Sequence, residues 1–442
     1  MKVAVVGAGI IGVTTAFELA CDGHEVTVFE RRSSVAEETS FANAGVVAPG
    51  YVTPWAAPGM PLKVVRHLLS RHAPVRLARP MAIGQWSWMW RWWRACSATA
   101  HAQHRSSMYR LAAYSRERLM NLVAHHHLEF ENTHGYLVLL RRPSDLALAR
   151  TGLKLLADLG VDFRLVNAQR AREIEPSLCI DTALHAAVHL PADRVGNCRQ
   201  FAHLLKQEAQ RLGVRFLFSR QVSRLVGDAP IQLTHMPALK ETGQGPDLDL
   251  DLTKPGLHEP GESVRQDEFD GAVVCAALGS AALLKPLGLR LGMVPVHGYS
   301  ITMPLRHLDG HPDPGPRSGV MDERFKVAIS RLGQRVRIAG GAELGGRLSH
   351  NDPAALATLY RVLDDWFPGC SQGAQAQVWK GARPMLADGP PMLGPSGVPG
   401  IWLNLGHGSS GWALACGSAR VLADLMAGRP AEVSLKGLGI RR

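Results

Sequence analysis

The chain has 442 residues and a mass of 47.9 kDa, which is more than one hydrophobic core usually supports, so we expect two domains. Hydrophobic residues make up 46% of the chain and charged residues 20%, a composition that excludes a largely disordered protein. The seven cysteines are scattered and include no Cys-x-x-Cys pair. This argues against a disulfide framework and against a zinc site, and we expect no metal.

The net charge of +11 is concentrated in one segment. From Thr39 to Arg116 there is no Asp or Glu but there are ten Lys or Arg residues, which leaves 39 bases against 38 acids elsewhere. A basic surface can bind nucleic acid, but no nucleic-acid-binding motif accompanies this segment. Anionic lipid is therefore the better-matched partner, and no nucleic acid is expected.

The first predicted elements form a nucleotide-binding turn. Residues 2–6 are apolar and mostly β-branched, which predicts a buried parallel strand. Gly7, Gly9 and Gly12 follow in G-x-G-x-x-G spacing at the start of a predicted helix, and a second strand ends at Glu30. In such a turn the glycines allow a tight bend, a close approach of the backbone to a pyrophosphate, and close helix–strand packing. Glu30 is suited to accept hydrogen bonds from ribose hydroxyls.

The segments after Glu30 favour FAD over NAD. An NAD-binding domain would continue with alternating strands and helices, whereas residues 39–61 form a Gly/Pro/Ala-rich loop whose small residues can press against a flat ring system. The α/β pattern returns at residues 198–226 and 269–279, and again at 401–428 around another glycine-rich turn. A nucleotide domain built from both ends and the middle of the chain fits a flavin better.

Residues 84–94, GQWSWMWRWWR, contain five of the ten tryptophans. On a helix, Trp86, Trp90 and Trp93 would share one face, and Trp88 and Trp92 the opposite face. On a strand, four of the five would line a single face, a core or lid arrangement. Core packing is the usual role of such residues. The surrounding bases instead favour a helix with one face buried and the other docked on a membrane, and we assign Trp88 and Trp92 to the docked face.

Residues 227–270 contain ten acids against three bases and show no clear periodicity. They are interpreted as a mobile surface insertion. The chain also has no secretory signal and no apolar run of membrane-spanning length, so we expect a cytoplasmic protein, peripheral on the cytoplasmic face of the inner membrane if the tryptophans dock there.

Several stretches resemble the FAD-dependent D-amino acid oxidoreductases, and in particular their D-amino acid dehydrogenase branch. They include SFANAGVVAPGYVTPWAAPGMPLKV, PVHGYSITMP, GARPMLADGPPMLG and LNLGHGSSGWALACGSARVLADL. The resemblance covers nearly all of residues 1–430, and residues 227–270 depart from it. It implies hydride transfer from a D-amino acid to FAD, release of a 2-oxo acid and ammonia, and transfer of the electrons to a membrane quinone or another carrier.

Two other functions remain open. One is an oxygen-using oxidase of the same fold that acts on glycine, sarcosine or another amine. The other is a non-catalytic nucleotide-binding protein adsorbed to a membrane.

The resemblance also implies the substrate-site residues. It places the family's carboxylate-binding arginine at Arg383, whose planar guanidinium suits a carboxylate; the alternative is a surface arginine paired with Asp388. Tyr299 could offer its hydroxyl to the substrate carboxylate or amine, or lie in the core. His407 could bind the flavin or tune its potential, and the backbone amides that follow it could stabilise negative charge on the reduced flavin.

The expected fold is α/β, with a discontinuous Rossmann-like FAD-binding domain and an α+β substrate domain that contains an antiparallel or mixed sheet. The FAD domain is assigned to residues 1–86, 168–285 and 385–442, and the substrate domain to 87–167 and 286–384. The candidate FAD-binding residues are Gly7, Gly9, Ile10, Ile11, Gly12, Glu30, Arg31, Ser40, Asn43, Ala44, Gly45, Val222, Gly279, Gly408, Ser409, Ser410 and Gly411.

Overall fold

The computed structural model describes residues 1–68, 72–228, 230–238, 263–307 and 313–440. Within them lie three β-sheets and the helices that cover them. The helices are α1 (Ile10–Cys21), α2 (Met60–Leu68), α3 (Ile83–Ala95), α4 (Ala98–His125), α5 (Pro143–Asp158), α6 (Ala168–Ile174), α7 (Cys198–Arg211), α8 (Ser280–Leu284), α9 (Pro353–Trp366) and α10 (Gly411–Met426).

The first sheet has six strands in the order β18-β19-β12-β1-β2-β8. All neighbours are parallel except β18, which is antiparallel to β19. This arrangement, with α1 directly after β1, confirms the expected Rossmann-like layer. The strands are β1 (Lys2–Val6), β2 (Glu25–Phe29), β8 (Arg215–Leu217), β12 (Gly271–Val274), β18 (Met392–Pro395) and β19 (Ile401–Leu405).

The second sheet has ten strands and is mixed, as expected. Its main order is β17-β13-β16-β15-β14-β5-β7-β3, with β4 paired to β16 and β6 to β7. The pairs β14–β5 and β16–β4 are parallel and the rest antiparallel. The strands are β3 (Val46–Val47), β4 (Val75–Ala78), β5 (Asn132–Leu140), β6 (Arg164–Asn167), β7 (Ala186–Gly196), β13 (Val294–Pro304), β14 (Gly319–Asp322), β15 (Val327–Leu332), β16 (Arg335–Gly345) and β17 (Gln377–Met385).

The two faces of this large sheet have different neighbours. Ile301, Ile329 and Ile338 pack under α9 on what we call the outer face. On the inner face, Ser330 and Arg337 donate hydrogen bonds to backbone carbonyls of residues 43–44. The inner face therefore meets the Gly/Pro/Ala-rich loop that follows the nucleotide-binding turn.

The third sheet corrects, for the two ends of the segment, the interpretation of residues 227–270 as a mobile surface insertion. Strands β9 (Arg220–Val226), β10 (Ile231–Pro237) and β11 (Arg265–Phe269) form an antiparallel sheet. Ile231, Leu233 and Phe269 are buried in one apolar cluster with residues of β1 and β12. The two ends of the segment are thus ordered because they cover the six-stranded sheet. Residues 239–262, the middle of the segment, lie outside the described residues.

Strand pairing also differs from the expected division of the chain. Strands β3, β4 and β7 belong to the ten-stranded sheet, although they lie in segments 1–86 and 168–285 that were assigned to the FAD domain. Each of them finds its hydrogen-bonding partner in the large sheet: β3 on β7, β7 on β5, and β4 on β16. The chain therefore passes between the six-stranded and the ten-stranded sheet more often than the expected domain division implies.

The tryptophan segment is helical, and the expected separation of its faces is present but reversed. Trp88 is 5% exposed, donates its indole N–H to the Met385 carbonyl at 3.0 Å, and is stacked with the half-buried Trp92. Trp86, Trp90 and Trp93 are 58%, 58% and 53% exposed. The assignment of Trp88 and Trp92 to the outward face was wrong, because these two rings cover the inner face of the large sheet near β13.

A buried charge network joins helices from the two ends of the chain. Glu18 of α1 has no exposed surface and accepts hydrogen bonds from Arg118 of α4 at 2.7 Å and from Arg420 of α10 at 2.9 Å. Arg420 also pairs with Asp22 and Asp424. Since a buried carboxylate is costly without partners, α1 depends on both other helices.

Candidate active site

The glycine turn has the geometry that a dinucleotide requires. Gly7 has φ +103, and a Cβ on Gly12 would lie 1.8 Å from the Gly7 carbonyl oxygen, so neither position accepts a larger residue. Helix α1 begins at Ile10 with Gly9 as an N-cap that offers no side-chain acceptor, and the Ile10 N–H donates to Ser40 Oγ at 3.0 Å. The predicted Ser40 therefore lies at the helix N-terminus, where phosphate charge is stabilised.

Glu30 directly follows β2 and lies beside this turn. Its two carboxylate oxygens accept the Ala8 N–H at 2.6 Å and the Arg32 N–H at 2.8 Å. Burial raises the pKa of Glu30 above its ordinary value, and the two backbone donors oppose this. Arg31 is directed to Glu38, whose carboxylate accepts from its Nε at 2.6 Å. The turn, Ser40 and Glu30 together fit the adenosine and pyrophosphate portions of FAD.

The loop at residues 43–45 lies between the sheets. The Asn43 carbonyl accepts from Arg337 at 3.1 Å, and the Ala44 carbonyl accepts from Ser330 at 2.7 Å. The Gly45 carbonyl accepts from the Gly196 N–H at 2.7 Å. Through these three carbonyls, the predicted flavin-facing loop is hydrogen-bonded to the large sheet.

The remaining predicted cofactor residues border the six-stranded sheet. Val222 of β9 is buried in one cluster with Phe29, and Gly279 ends a short 3₁₀ turn after β12. Gly408–Ser410 form another 3₁₀ turn, and Gly411 begins α10. Ser410, the N-cap of α10, makes no side-chain capping bond, so the first amides of that helix can serve an anion.

His407 points into the protein. Its Nε2 is 2.9 Å from Ser418 Oγ of α10, and the side chain is 3% exposed. Burial lowers the pKa of His407 to about 3, so the imidazole is neutral at physiological pH. The Nε2 atom of His407 is thus engaged by Ser418 of α10. Contact of His407 with a flavin stays a prediction.

Arg383 of β17 lies on the inner face of the large sheet, as Arg337 does. Its Nη1 donates to the Gly341 carbonyl at 2.9 Å and to the His297 carbonyl at 3.3 Å, and its guanidinium carbon is 5.7 Å from the centre of the Trp55 ring. No carboxylate charge contributes to the pKa shift of Arg383, which argues against the alternative of a surface arginine paired with Asp388. Burial lowers the pKa of Arg383 to about 10, which leaves it charged at neutral pH.

Two facing glycines make room for this guanidinium. Gly298 on β13 pairs directly with Gly381 on β17. A Cβ on Gly298 would lie 2.2 Å from Arg383 Nη2, and one on Gly381 would lie 1.7 Å from the Trp379 ring. The inner face therefore has a depression in which Arg383 lies over one glycine and Trp379 over the other.

Tyr299 lies on the opposite face from Arg383, which separates two residues predicted to share the site. Its hydroxyl donates to Glu343 and accepts the Asp352 N–H at 3.0 Å. Glu343 also binds Lys380 Nζ at 2.8 Å. Burial and the Glu343 carboxylate raise the pKa of Tyr299. Tyr299 and Arg383 are on opposite faces because side chains alternate along a strand: Gly298 faces inward, so the next residue, Tyr299, faces α9.

Sequence reasoning missed Trp55, Trp379 and the paired glycines. The signal was present in W-x-G-x-R, residues 379–383, because alternate residues of a strand share a face. The link between this strand and the flavin loop is direct: Thr39 Oγ1 donates to the Ala382 carbonyl at 2.8 Å. Arg383 and the loop at residues 39–45 therefore lie next to each other.

Comparisons with known proteins identify the family of the chain. The family model described as FAD dependent oxidoreductase matches residues 2–425. D-amino acid dehydrogenases from Bradyrhizobium diazoefficiens and Cereibacter sphaeroides are 38% and 40% identical, each over 100% of this chain and over 99% and 95% of their own lengths. Glycine oxidase from Geobacillus kaustophilus has a similar structure, with TM-score 0.72 at 18% identity over 100% of this chain and 98% of its own. The chain belongs to the family of FAD-dependent oxidoreductases.

Proposed function

We propose that the protein oxidises D-amino acids to 2-oxo acids and ammonia. The observation that carries the proposal is Arg383, a guanidinium set in a depression of the inner face beside the flavin loop. Such a cation is suited to the α-carboxylate of an amino acid. The relatives named D-amino acid dehydrogenase, at 38–40% identity over the full chain, support the choice of substrate class.

The chain's own groups have three tasks in this reaction. The amides at the start of α1 and Glu30 hold the dinucleotide, and Arg383 fixes the substrate carboxylate, which sets the direction of the Cα–H bond. Trp55, whose ring lies near the guanidinium, and Trp379, which lies over the neighbouring Gly381, restrict the access of water to the pair. Bound FAD supplies the acceptor for the hydride from Cα. Water then hydrolyses the released imine to the 2-oxo acid and ammonia.

Replacement of Arg383 tests the proposal. We expect Arg383→Met to lower kcat/KM for D-alanine with an artificial electron acceptor by about 100-fold, because a charge-assisted bidentate contact is lost. Arg383→Lys keeps the positive charge but lacks the planar guanidinium. Its kcat/KM is expected to lie between those of Arg383→Met and the unaltered enzyme. Arg150→Met, at an exposed arginine of α5, is the matched control. Unchanged kcat/KM in a flavin-loaded Arg383→Met enzyme would refute the assignment.

We propose a quinone or another electron carrier as the acceptor, in keeping with the dehydrogenase relatives. The oxidase alternative rests on the glycine oxidase structure, whose likeness at 18% identity shows the fold alone. Assays in air with D-alanine, glycine and sarcosine separate the two: quinone or dye reduction supports a dehydrogenase, and stoichiometric peroxide from glycine or sarcosine supports the oxidase. Membership of an oxidoreductase family counts against the non-catalytic alternative.

We also propose that α3 docks the protein peripherally on the cytoplasmic face of the inner membrane. The docking face consists of Ile83, Trp86, Trp90 and Trp93, which are 53–89% exposed. The segment around it, Thr39–Arg116, has ten basic residues and no acid. Indole rings with flanking arginines suit the headgroup boundary, and each base near an anionic surface contributes about 1 kcal/mol. In the described part of the chain, no helix has the length and apolarity to cross a bilayer.

Vesicle binding tests the docking face. The double substitution Trp90→Ser and Trp93→Ser should weaken binding to anionic vesicles by about tenfold or more, because it removes two exposed rings that would become buried in the membrane interface. Dye-linked turnover should be unchanged. The control substitutes Leu148 and Ile180, which are 63% and 75% exposed elsewhere on the surface. Equal vesicle binding by the double variant and the unaltered protein would contradict docking through α3.

A further inference from the structure

A cavity of about 520 Å³ lies beside β4, and Arg383 is not among its lining residues. One wall is formed by residues 73–80, which include β4, and the other by Glu343 and residues 346–352. We call it the β4 cavity. Glu343 faces it from the outer side of the large sheet, whereas Arg383 lies on the inner side.

Cations outnumber anions around the β4 cavity. Arg76, Arg79 and Arg347 line it, and its two carboxylates already have cationic partners. Asp352 Oδ2 is 3.0 Å from Arg76 Nη1, and Glu343 Oε1 is 2.8 Å from the buried Lys380 Nζ. Three arginines and two carboxylates thus line the cavity, and this excess of positive charge favours an anion.

The second wall is held in place by the protein. Lys380 Nζ donates to the backbone carbonyls of Arg347 at 2.8 Å and His350 at 2.6 Å, besides its bond to Glu343. The Lys380 side chain is 3% exposed. Because its three donors are all used, this ammonium fixes the turn that carries Arg347, and the wall is preorganised.

The β4 cavity adjoins an apolar surface that is continuous in sequence with the docking face. Val75, Leu77 and Pro80 contribute apolar groups to its lining, and Leu77 is 40% exposed. Three residues after Pro80, α3 begins at Ile83, which is 89% exposed. A cationic recess next to exposed apolar side chains has the two-part character of a phospholipid headgroup and its acyl chains.

We propose that the β4 cavity binds the phosphate group of an anionic phospholipid. Arg79, an exposed residue of the lining, donates to the phosphate oxygens, and Arg347 supplies further positive charge from the opposite wall. The proposal rests on membrane docking through α3 and adds to it a defined site for one headgroup. Diffuse attraction between a basic surface and a bilayer would need no such site.

The test titrates the FAD-loaded enzyme with dihexanoylphosphatidylglycerol, a short-chain lipid, below its micelle-forming concentration and at about 0.15 M salt. Calorimetry should show one saturable site. Arg79→Gln should weaken binding by about tenfold, since a charge-assisted hydrogen bond is lost. Arg94→Gln removes the same charge from an exposed position outside the cavity and should weaken it by less than about twofold.

Inorganic phosphate distinguishes the source of the phosphate group. Displacement of the lipid only at far higher phosphate concentration supports a phospholipid site, and displacement at equal concentration overturns the phospholipid source. No saturable site, or equal losses in Arg79→Gln and Arg94→Gln, overturns the β4 cavity as a site. Since the lipid here is monomeric, Trp90→Ser with Trp93→Ser should bind it normally, so failure of vesicle docking is distinguishable from failure of the cavity.

Discussion

The ion pair between Glu343 and Lys380 gives the sharpest prediction for stability. Both side chains are nearly inaccessible, at 6% and 3% exposure, and their charged atoms are 2.8 Å apart. Tyr299 donates to the other oxygen of Glu343. Replacement of Glu343 by Gln leaves a buried ammonium without its counter-charge while it preserves the volume of the side chain.

The magnitude follows from the pKa of Glu343. Desolvation, the largest cause, raises this pKa, but the nearby His297 ring, the hydrogen bonds from Lys380 and Tyr299 and the Lys380 charge outweigh it and lower the pKa from 4.5 to about 2. At 1.36 kcal/mol per pKa unit this corresponds to about 3 kcal/mol, at the lower end of the range of about 3–5 kcal/mol for breaking a buried pair. Because the folded-state pKa is the lower one, this stability is present above about pH 4.5 and is lost as pH falls toward about 2.

Urea unfolding followed by circular dichroism measures the effect. Near neutral pH, we expect Glu343→Gln to lower the free energy of unfolding by about 3 kcal/mol and to flatten its decline below about pH 4.5. Glu173→Gln is the control, because the Arg170–Glu173 pair is 61% and 47% exposed and should contribute less than about 1 kcal/mol. Equal effects of the two substitutions would refute the reasoning.

Two further predictions concern the inner face and a buried acid. Gly298→Ala places a Cβ 2.2 Å from the Arg383 guanidinium, so KM for D-alanine should rise at least about tenfold with flavin content unchanged; an unaltered KM would mean that Arg383 is not held over Gly298 for substrate. Burial raises the pKa of Asp193 from 3.8 to about 7, so its contribution to stability is full below about pH 4 and falls as pH rises to about 7. Asp193→Asn should therefore reduce this decline, measured by thermal unfolding across that pH range, and an identical pH dependence would contradict it.

The parts of the site that depend on local geometry could be predicted from the sequence. The glycine turn and the acid at the end of β2 are defined within 30 residues, and the structure places Ser40 and Glu30 beside that turn. The tryptophan helix was foreseen as two opposed faces, but which face is buried depends on the Met385 carbonyl, almost 300 residues away. No local pattern carries that information.

Tyr299 shows the corresponding limit for strands. Alternation predicts that Tyr299 and Gly298 point to opposite sides, but it does not say which side meets the flavin loop. That choice depends on α9 covering one face and on the bonds of Ser330 and Arg337 to the loop on the other. Likewise, β10 and β11 are ordered because they cover the six-stranded sheet. The charge-rich sequence of residues 227–270 does not by itself reveal this contact.

The charge network around Glu18 has a consequence for biosynthesis. The glycine turn and α1 leave the ribosome first, but Glu18 obtains one partner from Arg118 and the other from Arg420, close to the end of the chain. Strand β19, which completes the parallel layer beside β12, is also translated late. Before α10 is made, Glu18 can pair with Arg118 but not with Arg420, so the packing of α1, α4 and α10 cannot be completed. Stable packing of the glycine turn thus depends on α10, and a chain truncated before α10 should be more susceptible to proteolysis than the full chain.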